Sequence, residues 1–295
     1  MCVSFWRYLN KGHMGETFTC YLCKSKEHII IARKEEIRFG CYGFQKQVIR
    51  CAQCGLVQLY PFWTTEELHD LYSRYSQKVD FPGYKAKESF IPYLGKRYFK
   101  KSDFVLEIGC GPGDTLKRLR KTGYNIIGID KDPTVCDGEA VLNYDYKDFI
   151  LHKGKFDFIY AIHVFEHIPD PCKFIEWISE KLKEKKRFLL EVPSVDDPLL
   201  KIYKVERFND FYWYPYHSFF YNKDSLEKIF RKCPGVRIKI RPFQRYGLIN
   251  HLRWLFLKRP GNFNPNIPIL DNIYKLILTR LLKASDALIV TGEKI

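Results

Sequence analysis

Apolar residues along this chain form short runs, separated by segments in which they recur at helical spacing. Short runs predict buried strands, and the amphipathic segments between them predict helices that cover a sheet. The predicted strands are Phe104–Ile108, Asn125–Ile129, Phe156–Ile162, Arg187–Val192, Val236–Arg241 and Ala287–Thr291. The predicted helices are Asp114–Lys121, Pro171–Lys183, Asp224–Arg231 and Asp271–Lys283, of which the last is basic and amphipathic. This alternation predicts an α/β fold, with a mostly parallel sheet and helices on both faces.

The first hundred residues follow a different pattern. β-prone runs at His28–Ala32 and Gln47–Arg50 lie between two pairs of cysteines, and Thr64-Thr-Glu-Glu67 is a capping signal for the start of a helix. Behind that signal, apolar and aromatic residues stand at helical spacing, namely Leu68, Leu71, Tyr72 and Tyr75. We therefore expect a small module over residues 1–62, a helical aromatic linker over 63–100 that helps to cover the active site, and a main domain over 101–295 with a lid insertion at about 242–284.

The segment Phe104-Val-Leu-Glu-Ile-Gly-Cys-Gly-Pro-Gly-Asp114 joins an apolar strand to three alternating glycines, Gly109, Gly111 and Gly113. Glycine permits a sharp turn and lets backbone N–H groups approach a ligand. The spacing E-x-G-x-G-x-G differs from the G-x-G-x-x-G of dinucleotide-binding proteins, whose helix N-terminus receives a pyrophosphate. S-adenosylmethionine (SAM) has no phosphate but carries a free ammonium, which the carboxylate of Glu107 beside the loop suits. SAM is therefore the expected cofactor.

Two further acids stand at positions suited to the adenosine part of SAM. Asp130 ends the second strand, where a carboxylate accepts hydrogen bonds from ribose hydroxyls. The alternative is a turn aspartate that begins Asp130-Lys-Asp-Pro133. Asp145 comes after the predicted strand Asn125–Ile129 and before Phe156–Ile162, and is placed to meet the adenine amino group, whereas its alternative role is to cap a helix at Tyr146–Ile150.

Residues 103–195 resemble the class I SAM-dependent methyltransferases. Five motifs in the same order carry the resemblance, namely Leu106–Gly113, Gly128–Asp130, Phe156–Tyr160, His163–Asp170 and Arg187–Pro193. The resemblance implies a Rossmann-like sheet of seven strands whose last strand, Ala287–Thr291, is antiparallel. It also implies that SAM binds across the carboxyl edge of this sheet.

Four cysteines near the N-terminus have the spacing of a structural zinc site. Cys20-x-x-Cys23 and Cys51-x-x-Cys54 each place two thiolates on one turn, and two such turns complete a tetrahedron. Four protein ligands leave no position for water, so the predicted metal stabilises the fold and takes no part in catalysis. Cys41 is an alternative ligand, and four unrelated buried thiols are the other interpretation.

A cysteine-pair module ahead of this domain resembles bacterial enzymes that methylate sugars or other small polar metabolites. Arg50–Gln58 is similar to the second half of their zinc-binding segment, and Leu71–Tyr75 to their linker. The C-methylating deoxysugar branch adds a further C-terminal domain and has an acid beside the histidine that matches His217. Here that stretch reads Tyr214-Pro-Tyr-His217 without an acid, and the chain ends with what resembles the last strand of the sheet. The resemblance therefore implies O-methylation rather than C-methylation.

Methyl transfer to an alcohol needs a base for the hydroxyl proton, and histidine serves this purpose near neutral pH. His217, in the aromatic loop Phe211–Tyr221, is the first candidate base. The rings of that loop are either a stacking surface for a sugar or a hydrophobic cap on the core. His163, directly after the predicted strand Phe156–Ile162, is the second candidate base and a candidate contact for the methionine part of SAM. His167, four residues later, is expected to be a hydrogen-bonded structural residue.

The net charge of +15 favours an anionic partner, and a Lys-rich soluble surface is the other explanation. The leading hypothesis is O-methylation of a sugar, nucleotide-linked or in a surface glycan, with Arg245, Arg253 and Lys258 of the lid as ligands for a diphosphate. The alternatives are a methyltransferase for a non-sugar metabolite and a zinc-ribbon nucleic-acid-binding protein with a methyltransferase fold. Because the positive charge forms no basic arm, no specific nucleic acid is expected.

The sequence also bears on location. It contains no run of eighteen uncharged apolar residues, and Met1–Thr19 lacks the apolar segment of a signal peptide. The basic helix Ile273–Lys283 is suited to lie on an anionic membrane surface, which would match a lipid-linked glycan. We therefore expect a cytoplasmic protein, with peripheral contact at the inner membrane surface as a further expectation.

Overall fold

The computed structural model describes residues 18–35, 45–64, 67, 97–149, 155–214, 216–259 and 267–295. Its strands are β1 His28–Glu35, β2 Gln45–Cys51, β3 Val57–Tyr60, β4 Phe104–Ile108, β5 Asn125–Asp130, β6 Val141–Asn143, β7 Phe156–Ile162, β8 Leu182–Pro193, β9 Phe219–Phe220, β10 Val236–Phe243 and β11 Ala287–Lys294. Its helices are α1 Asp114–Lys121, α2 Pro171–Lys181, α3 Pro198–Lys201, α4 Glu206–Tyr212, α5 Lys223–Phe230, α6 Leu248–Leu257 and α7 Pro268–Leu276. Short 3₁₀ turns lie at Pro133–Val135, Tyr146–Asp148 and Phe165–His167. Within these ranges, none of the helices is long and apolar enough to cross a membrane.

A seven-stranded sheet forms the main domain, in the order β10-β11-β8-β7-β4-β5-β6. The pairs from β6 to β8 are parallel, and β11 runs antiparallel to both of its neighbours. This confirms the predicted α/β fold, including the reversed last strand. Because parallel strands end at the same edge, the residues after β4, β5 and β7 come together there.

Successive side chains of the central strands point to opposite faces of this sheet. On one face, Val105 packs with Leu116 of α1 and with Phe158. On the other, Leu106 belongs to a larger cluster that includes residues of α2 and α5, such as Phe174 and Ile229. Helices therefore cover both faces, and the apolar runs of the strands are explained by burial on both sides.

The helix predicted at Asp224–Arg231 lies one residue earlier, at Lys223–Phe230, and two other predicted helices differ more from the structure. The helix expected at Pro171–Lys183 ends at Lys181, because Leu182 adopts extended backbone (φ −81°, ψ 143°) and buries its side chain as the first residue of β8. The basic helix expected at Asp271–Lys283 begins earlier, at Pro268, where a proline at the first turn removes no helical hydrogen bond. Its α-helical part ends at Leu276, and one π-helical turn follows at Ile277–Leu281.

A second sheet contains the N-terminal module and has the order β1-β2-β3-β9. Its last strand, β9, comes from the main domain and pairs Phe220 with Val57 and Phe219 with Gln58. The domain limits expected at residues 62 and 100 stay a prediction, but the sheet itself joins the module to residues of the main domain.

The structure describes the linker at its two ends, residues 63, 64 and 67 and residues 97–100. The backbone N–H of Thr64 donates to Glu67 Oε2 (2.8 Å), and the N–H of Glu67 donates to Thr64 Oγ1 (3.1 Å). This reciprocal pair is the predicted capping arrangement. Leu68, Leu71, Tyr72 and Tyr75 lie outside the described residues.

Candidate functional site

The glycine loop lies between β4 and α1 at the carboxyl edge of the main sheet. Gly109, Gly111 and Gly113 all have left-handed backbone, with φ of 66°, 58° and 70°. A Cβ at Gly109 would lie 2.4 Å from Cγ2 of Val164, and a Cβ at Gly113 equally close to Cγ2 of Val141. Both the dihedral angle and the space therefore require glycine.

The acids expected to bind SAM lie around this loop. Glu107 is buried at the end of β4, and the hydroxyl of Tyr160 donates to its Oε2 (2.8 Å). Asp130 at the tip of β5 accepts from the N–H of Gly111 (2.8 Å), which joins the acid to the loop. Asp145 accepts from the N–H of Lys147 (3.1 Å) and caps a 3₁₀ turn, the capping alternative noted for it. The cofactor roles of these three acids stay predictions.

His167 and His217 lie beside each other. Their ring centroids are 4.8 Å apart, with the planes at 81°, and both side chains are half-buried. Because Nδ1 of His167 contacts the carbonyl oxygen of Tyr216 (3.0 Å), it must carry the proton, and Nε2 then holds the lone pair. Burial lowers the pKa of His217 well below its usual value and also lowers the pKa of His167. Both imidazoles are therefore neutral near pH 7, and a neutral imidazole can accept a proton.

Backbone hydrogen bonds hold this histidine pair in place. His167 belongs to the 3₁₀ turn after β7, and His217 to the loop that leads into β9. The N–H of Ser218 donates to the carbonyl oxygen of Glu166 (2.8 Å). The hydroxyl of Ser218 donates to the carbonyl oxygen of His167 (3.3 Å). The hydrogen bond to Tyr216 agrees with the expectation of a hydrogen-bonded His167, whereas its contact with His217, fifty residues away, has no local signal in the sequence.

His163 lies on the other side of Glu166, in a left-handed conformation with φ of 55°. Its Nδ1 is 3.2 Å from Glu166 Oε1, and its Nε2 contacts the guanidinium of Arg245. Arg245 is also 3.3 Å from the carboxylate of Glu191 and 3.4 Å from that of Asp286. Its charge is thus already neutralised by two buried carboxylates, and the phosphate-binding role expected for Arg245 does not fit this arrangement. Glu191 could have been noticed in the sequence as an acid at the carboxyl end of an apolar strand.

The aromatic loop before β9 is mostly core. Trp213, Tyr216 and Phe220 are buried in a cluster that also contains Leu59 and Trp63 of the N-terminal region. The hydrophobic-cap interpretation therefore describes these three rings. Of the same loop, Phe211 is exposed, whereas Tyr212, Tyr214 and His217 are half-buried, so these rings are the ones that offer surface to an acceptor.

The paired cysteines meet as the spacing predicts. The sulfur atoms of Cys20 and Cys54 are 3.5 Å apart, and so are those of Cys23 and Cys51. A tetrahedral zinc ion with bonds of about 2.3 Å separates its sulfur ligands by about 3.8 Å, so the four thiols fit such an ion. After each pair the backbone turns left-handed, at Lys24 and at Gly55, and the two turns are alike. Cys41 lies outside the described residues.

A second group with metal-ligand chemistry lies in the candidate active site. Glu166, His167 and His217 each bring one ligand atom within 4.8 Å of the other two. Two imidazoles and one carboxylate suit a divalent transition metal. The cluster therefore has two chemical interpretations, a neutral proton acceptor and a cation site.

Comparison with known proteins gives one family match. The model described as "Methyltransferase domain" matches residues 79–233. A ubiquinone biosynthesis O-methyltransferase from Actinobacillus pleuropneumoniae is 34% identical over 95 residues, which covers 27% of this chain and 41% of that protein. The protein of the same name from Coxiella burnetii is 30% identical over 104 residues, which covers 32% of this chain and 44% of that protein. The chain thus spans less than half the length of these curated relatives.

Among solved structures, a SAM-dependent methyltransferase from Archaeoglobus fulgidus is similar. It has a TM-score of 0.46 and 23% sequence identity, and the match covers 72% of this chain and 95% of that one.

Proposed function

The chain belongs to the methyltransferase family, whose domain model matches just over half of its length, and from this membership we propose that this SAM-dependent methyltransferase acts on a hydroxyl oxygen of a small acceptor. The observation that carries the proposal is the pair of neutral, half-buried imidazoles of His167 and His217. They lie beyond β7, at the sheet edge that also holds the glycine loop. If methyl transfer went to a carbon atom that is activated at another place, no proton acceptor would be needed at the position of these two imidazoles.

The residues of the loop fit the cofactor. Gly109 packs against Val164 and Gly113 against Val141, and without side chains of their own these residues hold the loop in a tight left-handed turn at the carboxyl edge of the sheet. Glycine loops of this kind let backbone N–H groups approach a ligand. In this proposal Glu107 binds the ammonium group, Asp130 the ribose hydroxyls and Asp145 the adenine amino group. When bound, SAM supplies a methyl group on a sulfonium, which an oxygen nucleophile displaces in line. The protein then mainly aligns the acceptor and removes its proton.

We assign the proton acceptor to His217. Its low pKa, caused by burial, keeps the ring neutral and able to accept the hydroxyl proton as the new bond forms. His163 contacts Arg245, Glu191 and Glu166, and it is therefore better suited to hold the neighbouring charges than to act as the base.

The test compares His217→Ala with His28→Ala, a change at an exposed histidine of β1. We expect His217→Ala to keep SAM affinity within about twofold and to lose on the order of 10²–10⁴ of turnover. Calorimetric titration with SAM and release of S-adenosylhomocysteine are the measurements. Unchanged turnover would remove His217 as the base. Turnover that a chelator abolishes and manganese restores would instead assign His217, with Glu166 and His167, to a metal site.

The class of acceptor is a finer part of the proposal. A sugar hydroxyl, nucleotide-linked or in a surface glycan, stays the first candidate and has the exposed ring of Phe211 and the half-buried ring of Tyr214 in its favour. The O-methyltransferases similar to this chain act, by their names, in ubiquinone biosynthesis, which favours a non-sugar, phenolic acceptor as the second candidate. Methyl transfer to a panel of nucleotide sugars, oligosaccharides and polyphenols separates the two.

We also propose that Cys20, Cys23, Cys51 and Cys54 hold a structural zinc ion. The two short sulfur–sulfur distances and the four-cysteine composition support it, since a closed set of thiolates is typical of structural sites. The ion would stabilise the module that contributes β1, β2 and β3.

A further inference from the structure

The exposed apolar side chains of this protein are concentrated on one segment. Among the described residues, ten of the fourteen large apolar side chains that are exposed lie between Phe256 and Leu282. Phe256, Ile269 and Leu281 expose 79%, 78% and 74% of their surface. Single exposed apolar residues are ordinary, but a contiguous group on two neighbouring helices marks an interaction surface.

Helix α7 shows that this exposure is organised. One side of the helix is anchored to the protein by two side chains. The buried carboxylate of Asp271 accepts from the N–H groups of Leu248 (2.8 Å) and Ile267 (2.9 Å). The hydroxyl of Tyr274 forms a hydrogen bond with the hydroxyl of Tyr203 (2.7 Å). The opposite side carries Ile269, Ile273 and Leu276, all exposed, and we call these three residues the outer face. A helix on a water-covered surface would have polar residues at these positions.

The charged residues of the segment that carries the outer face are almost all positive. The lid segment 242–284 contains seven Lys or Arg residues and a single acid, Asp271, which is buried. Lys258, Arg259, Arg280 and Lys283 are exposed on it. A second copy of this chain would bring the same positive charge against itself, whereas an anionic lipid surface complements both the charge and the apolar side chains.

We propose that the outer face of α7, together with Phe256 and Leu257 of α6, inserts into the interfacial layer of an anionic membrane. The exposed cations then lie at the level of the lipid headgroups. Neither helix spans the bilayer, so the contact is peripheral.

The lid that carries this surface also touches the candidate active site. Arg245, at the start of the lid, contacts His163. The ring of Trp254 in α6 lies 5.4 Å from that of Phe211, six residues before His217. Membrane contact would therefore bring the lipid surface near the acceptor side of the site. On the proposed function, on which this step rests, the acceptor hydroxyl belongs to a molecule anchored in that membrane.

Sedimentation of the full chain with vesicles tests the proposal. Vesicles of phosphatidylcholine and phosphatidylglycerol in a two-to-one ratio are compared with pure phosphatidylcholine. The triple variant Ile269→Ser/Ile273→Ser/Leu276→Ser removes the outer face, and Ile29→Ser/Ile295→Ser, two exposed apolar residues elsewhere, is the matched control. Arg259→Glu/Arg280→Glu tests the charge, with Lys100→Glu/Lys101→Glu as its control. Circular dichroism and SAM affinity establish that each variant is folded.

We expect the wild type to bind the anionic vesicles at least about tenfold better than the neutral ones, and both lid variants to lose about tenfold in binding while the two controls keep it. Equal binding of wild type and lid variants, or no preference for anionic lipid, would overturn the proposal. The proposal would also be overturned if the wild type bound no vesicles but self-associated, and if the triple variant abolished that self-association. If the proposed function alone is wrong, vesicle binding persists and no hydroxylated acceptor, free or membrane-anchored, is methylated. If this inference alone is wrong, a water-soluble acceptor is methylated equally by wild type and triple variant.

Discussion

At the scale of single residues, Gly109 shows how one backbone conformation shapes the glycine loop. Gly109 has a left-handed φ of 66°, and a Cβ added to it would lie 2.4 Å from Cγ2 of Val164. Gly138 has a similar φ of 74°, yet a Cβ there would meet nothing within 4 Å. A substitution at Gly138 therefore meets only the unfavourable dihedral angle, whereas the same substitution at Gly109 also meets a steric collision.

We predict that Gly109→Ala lowers SAM affinity by at least about tenfold, because Val164 or the loop must shift, and lowers the free energy of unfolding by about 2 kcal/mol. Gly138→Ala should cost only about 1 kcal/mol and leave SAM affinity unchanged. Titration calorimetry and urea unfolding are the measurements. Equal effects of the two substitutions on SAM affinity would contradict the prediction.

At the scale of elements, the short helix α3 begins at a buried acid. Asp197 accepts from the N–H of Leu199 (2.7 Å) as its N-cap. Burial, together with the nearby charge of Asp286, raises the pKa of Asp197 from 3.8 to about 8. Between these two values the folded state holds a proton that the unfolded state has lost. This carboxyl therefore lowers the stability of the fold progressively as pH rises through that interval.

We predict that Asp197→Asn is more stable than the wild type, by a margin that grows from near zero at about pH 4 to its largest value near pH 8, at a slope of at most about 1.4 kcal/mol per pH unit. Asparagine is neutral and still caps the helix. Asp196→Asn, which removes a surface ion pair with Lys201, should change the unfolding free energy by less than about 1 kcal/mol. Urea unfolding across this pH range measures both. If the Asp197→Asn variant is no more stable than the wild type at pH 8, the raised pKa is refuted.

At the scale of the whole molecule, the two sheets depend on each other. The loop of His217 leads directly into β9, which belongs to the sheet of the cysteine module, and the N–H of Leu59 donates to the carbonyl oxygen of Ser218 (3.0 Å). Side chains add further ties, from Tyr21 to Asp170 (2.8 Å) and from Lys228 to the carbonyl oxygen of Cys54 (2.7 Å). The N-terminal module thus contacts the loop that carries His217, on one side of the candidate active site.

We predict that the purified chain contains about one zinc ion and that its removal, by chelation or by Cys20→Ser, lowers turnover at least about tenfold. SAM affinity should change less than about twofold, because the glycine loop belongs to the other sheet. Cys233→Ser, at a buried cysteine outside the cluster, should leave zinc content and turnover unchanged. Elemental analysis, methyl transfer and SAM titration are the measurements. Full turnover without metal would show that the module is not needed to hold His217.

The sequence alone determined the features that depend on neighbouring residues. The strand, glycine loop and helix from Phe104 to Lys121 were predictable because each follows from spacing over a few positions. The two Cys-x-x-Cys turns were predictable for the same reason, although their meeting across about thirty residues could only be inferred from their number.

Only the tertiary structure decided which distant residues share a site. It placed His167 beside His217, surrounded Arg245 with Glu191 and Asp286, and put Trp213 and Tyr216 into the core. These contacts join segments forty or more residues apart, and no periodicity of the chain encodes such a distance. The contacts of Asp271 and Tyr274 likewise decided which side of α7 faces the protein and which side is exposed. The sequence does not show this, because apolar residues occur on several sides of the helix.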